Sequence, residues 1–360
     1  MNTSANSLET WQPFLTKEGV TAHARNVYER YEKTTFYINP TMDDKWLAPF
    51  GKLPMQAPAH IPDGICAWTS GMALLAGRLK KNKNLDQLMV AHTIESFITS
   101  LREKCDQEAP LRFAWVICPA QSWCPLPRNF PIHKICVGIE TAGKGDKKII
   151  KVALLDGLPI GRQGYITPNR FAGPLPQDIW EGYGIEDKFN APELVCRAFF
   201  KAINGLNATS EIYHCPIIRQ KEDGCEIFAL KDAQFFLKNV NFFTQIKTQE
   251  AAPFPIKNAT LHKITHLPAE HMKGTQSLDV LEKYNEDLLS MLSMNEISLT
   301  SEEIHQKIYR SKKYLITDLA GENKNAFTLV KALKYSSWAI EMMEKKPEEA
   351  RALIGSTLLL

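Results

Sequence analysis

The sequence predicts an α/β (α+β) fold, in which a mixed sheet is flanked by helices, and three observations lead to this prediction. Short apolar or β-branched runs bounded by proline and glycine, such as LRFAWVI and KIIKVALL, are typical of strands. Apolar residues recur with helical spacing on both sides of these runs. The chain has 360 residues, of which 44% are hydrophobic, enough for one large core or two ordinary ones.

The N-terminal half of the predicted fold contains two helices followed by three strands. Helices are predicted at 66–80 and 84–104, the second because apolar residues cover roughly one face of NLDQLMVAHTIESFITSLREK. Strands are predicted at 111–117, 133–140 and 148–155, and AGKGDKK between the last two is typical of a hairpin tip.

The C-terminal half begins with a segment rich in glycine and proline, at 157–190, which predicts a long irregular excursion, either a functional loop or a disordered tether. A helix at 191–204, a strand at 211–218 and a helix that starts at Cys225 follow. After residue 250 the chain is predicted to be mainly helical, with helices at 276–294, 300–315 and 324–346.

Composition excludes several kinds of partner. The net charge of +3 provides no global basic field for nucleic acid. No apolar run approaches the roughly 18 residues that span a membrane, and the polar start MNTSANSLET differs from a signal peptide. The eight cysteines are too sparse for a disulfide scaffold, which favours reduced thiols in a cytosol. We therefore expect a globular monomer that binds no nucleic acid and has no membrane span.

Three residues stand in an order that suits a thiol nucleophile: His133 begins a strand, Asp156 ends the next one, and Cys225 begins a helix. A thiolate is favoured by a nearby imidazole and by a helix N-terminus, and the imidazole needs a carboxylate to orient it. Gln220 can donate to an oxyanion together with the backbone N–H of Cys225. Glu140 is the alternative acid. We expect Cys225 at an exposed helix start, where it contributes little packing.

Each of these residues also has an ordinary structural interpretation. A single cysteine is commonly a packing residue, a histidine at a strand start commonly a cap, and an aspartate after a strand commonly a turn residue. A metal site is also conceivable at Cys118, Cys124, His133 and Cys136. That group lacks a CxxC pair, so we predict no metal.

A rival nucleophile lies upstream in GICAWTSGMALL, where Cys66 follows a glycine and precedes an apolar run. With His133 and Asp156 it gives the order Cys, His, Asp of papain-like enzymes. The structural alternative is a helix that packs Cys66 into the core.

The order His, acid, Gln, Cys resembles the group of cysteine enzymes that includes SUMO and ubiquitin-like proteases, adenovirus proteases and YopJ-type effector acetyltransferases. RQKEDGCEIFAL (219–230) is similar to the glutamine–cysteine segment of that group, and LLDGL to its strand-end acid. The YopJ type is the closer match, because THLPAEHMKGTQSLDVLEKY (265–284) resembles its LP…K-x-T-Q…L…Y segment and SEEIHQKIYRSKKYL (301–315) its basic C-terminal helix. This continuation favours Cys225 over Cys66.

The sequence departs from that family's pattern at two positions. Gln220 lies five residues before Cys225, where the family more often has six. Gly224 precedes the cysteine, where the family has an aspartate or glutamate.

The resemblance implies a CE-type cysteine protease-like fold with a helical regulatory region from the N- and C-terminal parts. It implies an effector that acetylates Ser, Thr or Lys of a host signalling protein from acetyl-coenzyme A, through a thioester on Cys225, with inositol hexakisphosphate as activator. The alternatives are a deubiquitinase or SUMO-type isopeptidase on the same fold, with a ubiquitin-like protein as partner, a papain-like effector protease that uses Cys66, and a binding module without chemistry.

An activator with six phosphates requires converging lysines and arginines. The candidates are Arg102, Lys104, Lys273, Lys307, Arg310, Lys312 and Lys313. Lys273 matches the lysine at which the family acetylates itself, and it equally suits a phosphate ligand or a surface residue. An ordinary solvated basic face is the structural alternative for the remaining cations.

The resemblance also suggests how the chain is divided. We expect an N-terminal helical regulatory region at 1–104, a catalytic core at 105–250, a helical regulatory region at 251–340 and a tail at 341–360. The tail EMMEKKPEEARALIGSTLLL is similar to the glutamate-rich C-terminal signals of type IV secreted effectors, and it equally fits an amphipathic helix with i,i+4 charge pairs. We therefore expect secretion into a host cell and residence in its cytoplasm.

Overall fold

The computed structural model describes a subset of the chain, and all structural statements concern that subset. It comprises residues 69–91, 94–107, 111–117, 134–143, 148–157, 208–220, 224–253, 259–272, 274–276, 280, 283–284, 315–317, 323–325 and 327–359.

The described residues form helices and strands that are numbered in chain order. The helices are α1 (Thr69–Lys83), α2 (Ile94–Cys105), α3 (Cys225–Lys238), α4 (Phe242–Gln245), α5 (Ala269–Met272), α6 (Phe327–Lys345) and α7 (Pro347–Gly355). The strands are β1 (Leu88–Ala91), β2 (Leu111–Ile117), β3 (Ile135–Ala142), β4 (Lys148–Leu155), β5 (Ala208–Cys215), β6 (Lys247–Pro253), β7 (Ala259–His266), β8 (Leu315–Thr317), β9 (Asn323–Asn325) and β10 (Leu358–Leu359).

Eight of these strands form one mixed sheet in the order β10-β1-β2-β3-β4-β5-β7-β6. Strands β10, β1 and β2 are parallel to one another, and β3 is antiparallel to both β2 and β4. Strands β4, β5 and β7 are parallel, and β6 closes the sheet in the antiparallel direction. Strands β8 and β9 form a separate antiparallel pair. The predicted mixed sheet flanked by helices is confirmed.

Successive side chains of a strand point to opposite faces of the sheet. Helices cover both faces of this sheet, so both sets of side chains are buried. One face, which includes Val116 and Ala153, packs against α1, α3, α6 and α7, and Leu230 of α3 belongs to the same core cluster. The other face packs against α2, where the rings of Phe97 and Trp115 meet edge to face with their centroids 5.7 Å apart. Burial on both faces explains why FAWVI, residues 113–117 of β2, is continuously apolar.

Helix α3 lies close to the sheet and is held at its C-terminal end. A Cβ atom on Gly138 of β3 would lie 2.7 Å from the ring of Phe236, so only glycine allows this approach. Arg112 of β2 donates to the carbonyls of Phe236 and Asn239 and forms an ion pair with Glu140. A cation at a helix C-terminus interacts favourably with the helix dipole. Because these contacts hold the C-terminus of α3 near Glu140, the N-terminus of α3 lies toward the other end of the strands.

The C-terminal residues pack onto the body of the protein. Strand β10 pairs in parallel with β1, and the hydroxyl of Thr357 donates to the carbonyl of Ala73 at 2.8 Å. Glu341 and Lys345 form an i,i+4 ion pair at 3.0 Å, as an amphipathic helix predicts. A role of the tail in secretion stays a prediction.

Several predicted elements match the structure. The predicted bounds of β2 and β4 and the start of α3 at Cys225 are confirmed. Strand β3 begins two residues later than predicted and β5 three residues earlier, while α1 and α6 overlap the predicted helices at 66–80 and 324–346. The predicted helix at 191–204 lies outside the described residues, as do all but the last residue of the predicted helix at 300–315 and all but the first residue of the predicted loop at 157–190. Leu315, the last residue of that predicted helix, begins β8.

One prediction of secondary structure is wrong, and another is incomplete. The predicted helix at 84–104 is interrupted, because Leu88–Ala91 forms β1 between β2 and β10 and α2 begins at Ile94. After residue 250 the described residues include more helix than strand, but the prediction missed Ala259–His266, which forms β7 beside β5. In both segments long-range pairing decides the structure, which local apolar periodicity does not report. Among the helices that the structure describes, none combines the length and apolar character of a membrane span.

Candidate active site

The topology of the sheet brings the ends of several strands to one edge. Strands β4 and β5 are parallel, with Leu155 beside Cys215, so both end at this edge. Strand β3 runs the other way, with Cys136 beside Leu155, so β3 begins where β4 ends. In open α/β sheets, ligands bind outside the carboxyl ends of the strands. A ligand-binding or catalytic site is therefore expected at this edge of the sheet.

Asp156 directly follows β4 at this edge and is fully buried. The carbonyl of the next residue, Gly157, accepts hydrogen bonds from the backbone N–H groups of Arg219 at 2.9 Å and of Gln220 at 2.8 Å. Gln220 itself is buried. The segment that precedes Cys225 is therefore hydrogen-bonded to the segment that follows β4 and contains Asp156.

Cys225 is the first residue of α3, and the glycine before it has a structural reason. Gly224 is the N-cap residue with φ 127° and ψ 15°, in the positive-φ region that glycine adopts far more readily than other residues. Its carbonyl accepts from the N–H groups of Ile227 at 3.0 Å and Phe228 at 3.1 Å, which starts the helix. The departure from the family's acidic residue at this position thus follows from the way the chain enters α3.

The thiol of Cys225 lies in a buried position. Cys225 is only 6% exposed, so the expectation of an exposed helix start with little packing is wrong. The first turn of α3 packs against other parts of the chain, since a Cβ added to Gly157 would lie 2.9 Å from the ring of Phe228.

A carboxyl group that the sequence reasoning missed contacts this thiol. Glu226 is fully buried, and its Oε2 lies 3.7 Å from the Sγ atom of Cys225, which donates to it. Glu226 is therefore a carboxyl group in direct contact with the candidate nucleophile. The signal in the sequence is weak, because acidic residues are common in the first turn of any helix.

Three other described cysteines are core residues. Burial raises the pKa of Cys105 to about 12 and that of Cys215 to about 11, and it raises the pKa of Cys136 well above its ordinary value. Such thiols stay protonated at neutral pH and behave as small apolar groups. Among the described cysteines, Cys225 alone begins a helix at the carboxyl edge of the sheet.

The residue six positions before Cys225 is a buried arginine that the sequence reasoning also missed. Arg219 is fully buried and forms an ion pair with Asp232 of α3 at 2.6 Å. Burial alone would raise the pKa of Asp232, but Arg219 and a hydrogen bond from His271 hold it below its ordinary value. The only hint in the sequence is an aspartate on the apolar, core-facing side of α3.

The alternative acid, Glu140, lies at the other end of the sheet. It stands near the C-terminal end of β3, opposite Lys151, and pairs with Arg112 beneath the C-terminus of α3. Its separation from the edge where Asp156 and Cys225 lie favours Asp156 as the acid.

The structure describes only part of the predicted site. His133, Cys66 and Lys273 lie outside the described residues, as do Lys307, Arg310, Lys312 and Lys313. Gln220, Asp156 and Cys225 are brought to one edge of the sheet, as described above. In the ranges that the structure covers, no group of three or more His, Cys, Asp or Glu residues is arranged to hold a metal ion. The Cys118, Cys124 and His133 members of the conceivable metal group lie outside those ranges.

The two described phosphate candidates lie in the last turn of α2. Arg102 is exposed, and the Nζ atom of Lys104 lies 5.0 Å from the ring centroid of Phe113. Residues two positions apart on a helix do not face the same direction. Arg102 and Lys104 therefore need cations from another segment to form a phosphate site, and their role stays a prediction.

The chain is similar to several solved structures. No protein-family model matches the chain, and no curated protein matches it. The chain is similar to AvrA delL154 with IP6 and CoA, at 13% identity and a TM-score of 0.46, over 90% of this chain and 98% of that one. It is also similar to HopZ1a in complex with IP6, at 11% identity and a TM-score of 0.48, over 89% of this chain and 98% of that one.

His214 of β5 lies near the carboxyl edge, between Leu154 and Lys263 in the sheet. Burial lowers the pKa of this histidine to about 4, although the charge of Asp156 opposes the shift. The imidazole is therefore neutral in the folded protein at pH 7.

We expect the free energy of unfolding to fall as the pH falls from about 6.5 to about 4, by up to about 3 kcal/mol from His214 alone. In this window the unfolded chain binds a proton on His214 that the folded protein excludes. Urea denaturation at pH 7 and pH 4.5 measures the effect, and His214→Gln should remove most of the difference. His262, whose pKa burial also lowers, contributes in the same direction in both proteins. An equal pH dependence in the variant would contradict the assignment.

Proposed function

We propose that the protein is a cysteine-dependent acetyltransferase delivered into a host cell, where it acetylates Ser, Thr or Lys of a host signalling protein from acetyl-coenzyme A in the cytoplasm. The observation that carries this proposal is the position of Cys225, at the N-terminus of a helix, on the edge of the sheet where Asp156 lies. The hydrogen bonds to Gly157 tie these two segments together. The resemblance of 219–230 and 265–284 to the YopJ type supports acetyl transfer over other thiol chemistry.

The resemblance assigns the general base to His133, two residues before β3 begins. Since β3 begins where β4 ends, this part of the chain leads into the strand beside Asp156. A carboxylate next to an imidazole fixes its tautomer and stabilises the imidazolium. We therefore assign Asp156 to orient His133, and His133 to take the proton from Cys225.

The proposed reaction has two stages, both centred on Cys225. In the first, the thiolate attacks the acetyl carbonyl, a new carbon–sulfur bond forms, and coenzyme A leaves as a thiol that takes the proton from His133. In the second, a hydroxyl or amine of the target attacks the thioester while His133 accepts its proton, the bond between the acetyl carbon and the sulfur of Cys225 breaks, and Cys225 leaves as a thiolate. The backbone N–H of Cys225 and the amide of Gln220 are suited to stabilise the oxyanion in both stages.

We expect Cys225→Ala to abolish acetyl transfer, because the variant has no nucleophile. Mass spectrometry after incubation with acetyl-coenzyme A should find acetylated Lys, Ser or Thr with the wild-type protein and none with the variant. Cys215→Ala is the matched control, since it removes a buried thiol whose raised pKa makes it unreactive, and it should keep activity.

Two outcomes would overturn this assignment. Activity in Cys225→Ala together with loss in Cys66→Ala would favour the papain-like order. Reaction of Cys225 with a ubiquitin warhead, or release of ubiquitin from a chain without any acetyl transfer, would favour the isopeptidase.

We expect Asp156→Asn to lower the rate of acetyl transfer severely but less than Cys225→Ala. The amide no longer fixes the tautomer of the imidazole, and in the serine protease triad the same change costs roughly ten-thousandfold in kcat. Asp106→Asn, at an exposed aspartate after α2, is the matched control and should leave the rate unchanged. A wild-type rate in Asp156→Asn would show that the acid is a different residue.

The proposal includes inositol hexakisphosphate as activator. AvrA delL154 is a structure with IP6 and CoA, and HopZ1a is a structure with IP6. We assign the phosphates to the basic residues that the sequence singles out, of which Arg102 is exposed at the end of α2. The other proposed ligands are Lys104, Lys273, Lys307, Arg310, Lys312 and Lys313. When bound, the anion neutralises these cations and joins the segments that carry them.

We expect inositol hexakisphosphate at a hundred times its dissociation constant to stabilise the protein by about 2.7 kcal/mol, which a thermal melt detects. The shift should shrink with added salt, because partly exposed phosphate contacts are screened. Arg310→Glu with Lys312→Glu should remove most of the shift and leave the ligand-free melting temperature nearly unchanged. Reversal of Lys345 and Lys346, which are exposed at the end of α6, is the matched control and should keep the shift. The absence of any shift would rule out the activation mechanism.

A further inference from the structure

We propose that Arg219 is a positioning residue that holds Cys225 and Asp156 in a fixed position relative to each other. This role rests on the proposed function. The observations are the complete burial of its side chain and the number of segments that it joins.

Arg219 and Asp232 form a buried, bidentate ion pair. Nη1 donates to Oδ1 at 2.8 Å and Nη2 to Oδ2 at 2.6 Å, and both residues are almost inaccessible to solvent. A buried charge is tolerated only when it is paired and hydrogen-bonded. The planar fork of a guanidinium matches the two oxygens of a carboxylate, whereas a lysine offers a single point charge. The pair therefore fixes both the distance and the orientation of the two groups.

The same guanidinium also contacts two further segments. Nη1 donates to the carbonyl of His271 at 3.0 Å and Nη2 to the carbonyl of Asp156 at 3.4 Å. The backbone of Arg219 donates to the carbonyl of Gly157 at 2.9 Å and accepts from the N–H of Gln276 at 2.7 Å. Four segments thus meet at this residue: the end of β4, the chain before Cys225, helix α3 and the chain after β7.

The ion pair controls the rotation of α3 about its axis. Asp232 lies seven residues after Cys225, which is about two turns of an α-helix, so both side chains lie on nearly the same face. Phe228 occupies the turn between them, with its ring 5.4 Å from the guanidinium carbon of Arg219. A rotation of α3 that moved the thiol away from Asp156 would also break the fork between Arg219 and Asp232.

Asp232 is held from a second direction by His271. The Nδ1 atom of His271 lies 2.8 Å from Oδ1 of Asp232, and its ring packs edge-on against Phe235 and Phe242. The carboxylate cannot follow a displaced arginine without losing this contact. The network therefore transmits a change at Arg219 to the backbone of Asp156 and to the start of α3.

The test separates positioning from stability. Arg219→Met combined with Asp232→Leu removes both charges and keeps most of the volume, a replacement that often preserves the stability of a buried ion pair. We expect this double variant to keep its melting temperature within a few degrees and to lose at least about tenfold in kcat, with KM nearly unchanged. Arg219→Lys retains the charge without the fork and should recover part of the rate.

A second readout does not depend on acetyl transfer. The rate of Cys225 alkylation by iodoacetamide, followed by mass spectrometry as a function of pH, reports how well the site supports the thiolate. We expect its pH midpoint to rise in the double variant. Arg112→Met is the matched control, because Arg112 is the arginine at the other end of α3. In this variant the pH midpoint of Cys225 alkylation should stay unchanged even if the stability of the protein falls.

The possible results lead to different conclusions. If wild-type Cys225 is alkylated no faster than Cys215, the proposed function fails before Arg219 is considered. If the wild-type protein is active and the double variant retains its kcat and its alkylation midpoint, Arg219 has no positioning role and the proposed function stands. If the double variant does not fold, Arg219→Lys decides, and an unchanged kcat and midpoint in that variant would overturn the inference.

Discussion

The position of α3 on the sheet is the constraint on which the rest of the site depends. The helix is held near its C-terminal end by Arg112 and by the close approach of Phe236 to Gly138, and in its middle by the pair of Arg219 with Asp232. Contacts at two heights along one helix leave little freedom to slide or rotate. Cys225 therefore lies at a defined point at the edge of the sheet.

The mixed topology supplies the other half of the arrangement. Antiparallel pairing of β3 with β4 places the start of one strand beside the end of the other, and parallel pairing of β4 with β5 adds the chain that leads to Cys225. Residues far apart in the sequence meet at this edge because of strand direction, not because of local motifs. A purely parallel or purely antiparallel sheet of the same strands would separate them.

The sequence alone was sufficient to predict the elements whose structure is decided by local interactions. Apolar runs with clear boundaries predicted β2 and β4, and the apolar, helix-like stretch that Cys225 opens predicted the start of α3. It was insufficient where a distant partner decides, as for β1, which is a strand because β2 and β10 flank it. The pair of Arg219 with Asp232 and the burial of Cys225 also depend on tertiary contacts. The sequence singled out neither Arg219 nor Asp232, and it predicted an exposed thiol at Cys225.

The central claim is that Cys225 carries the acetyl group, and a trapped intermediate tests it most directly. The protein is incubated with acetyl-coenzyme A without an acceptor, quenched in acid and digested with trypsin, which releases EDGCEIFALK with Cys225 as its one cysteine. Mass spectrometry should find one acetyl group on this peptide that hydroxylamine removes, as expected for a thioester. An acetyl group on the peptide that contains Cys66, or transfer to a target with no thioester at Cys225, would contradict the account.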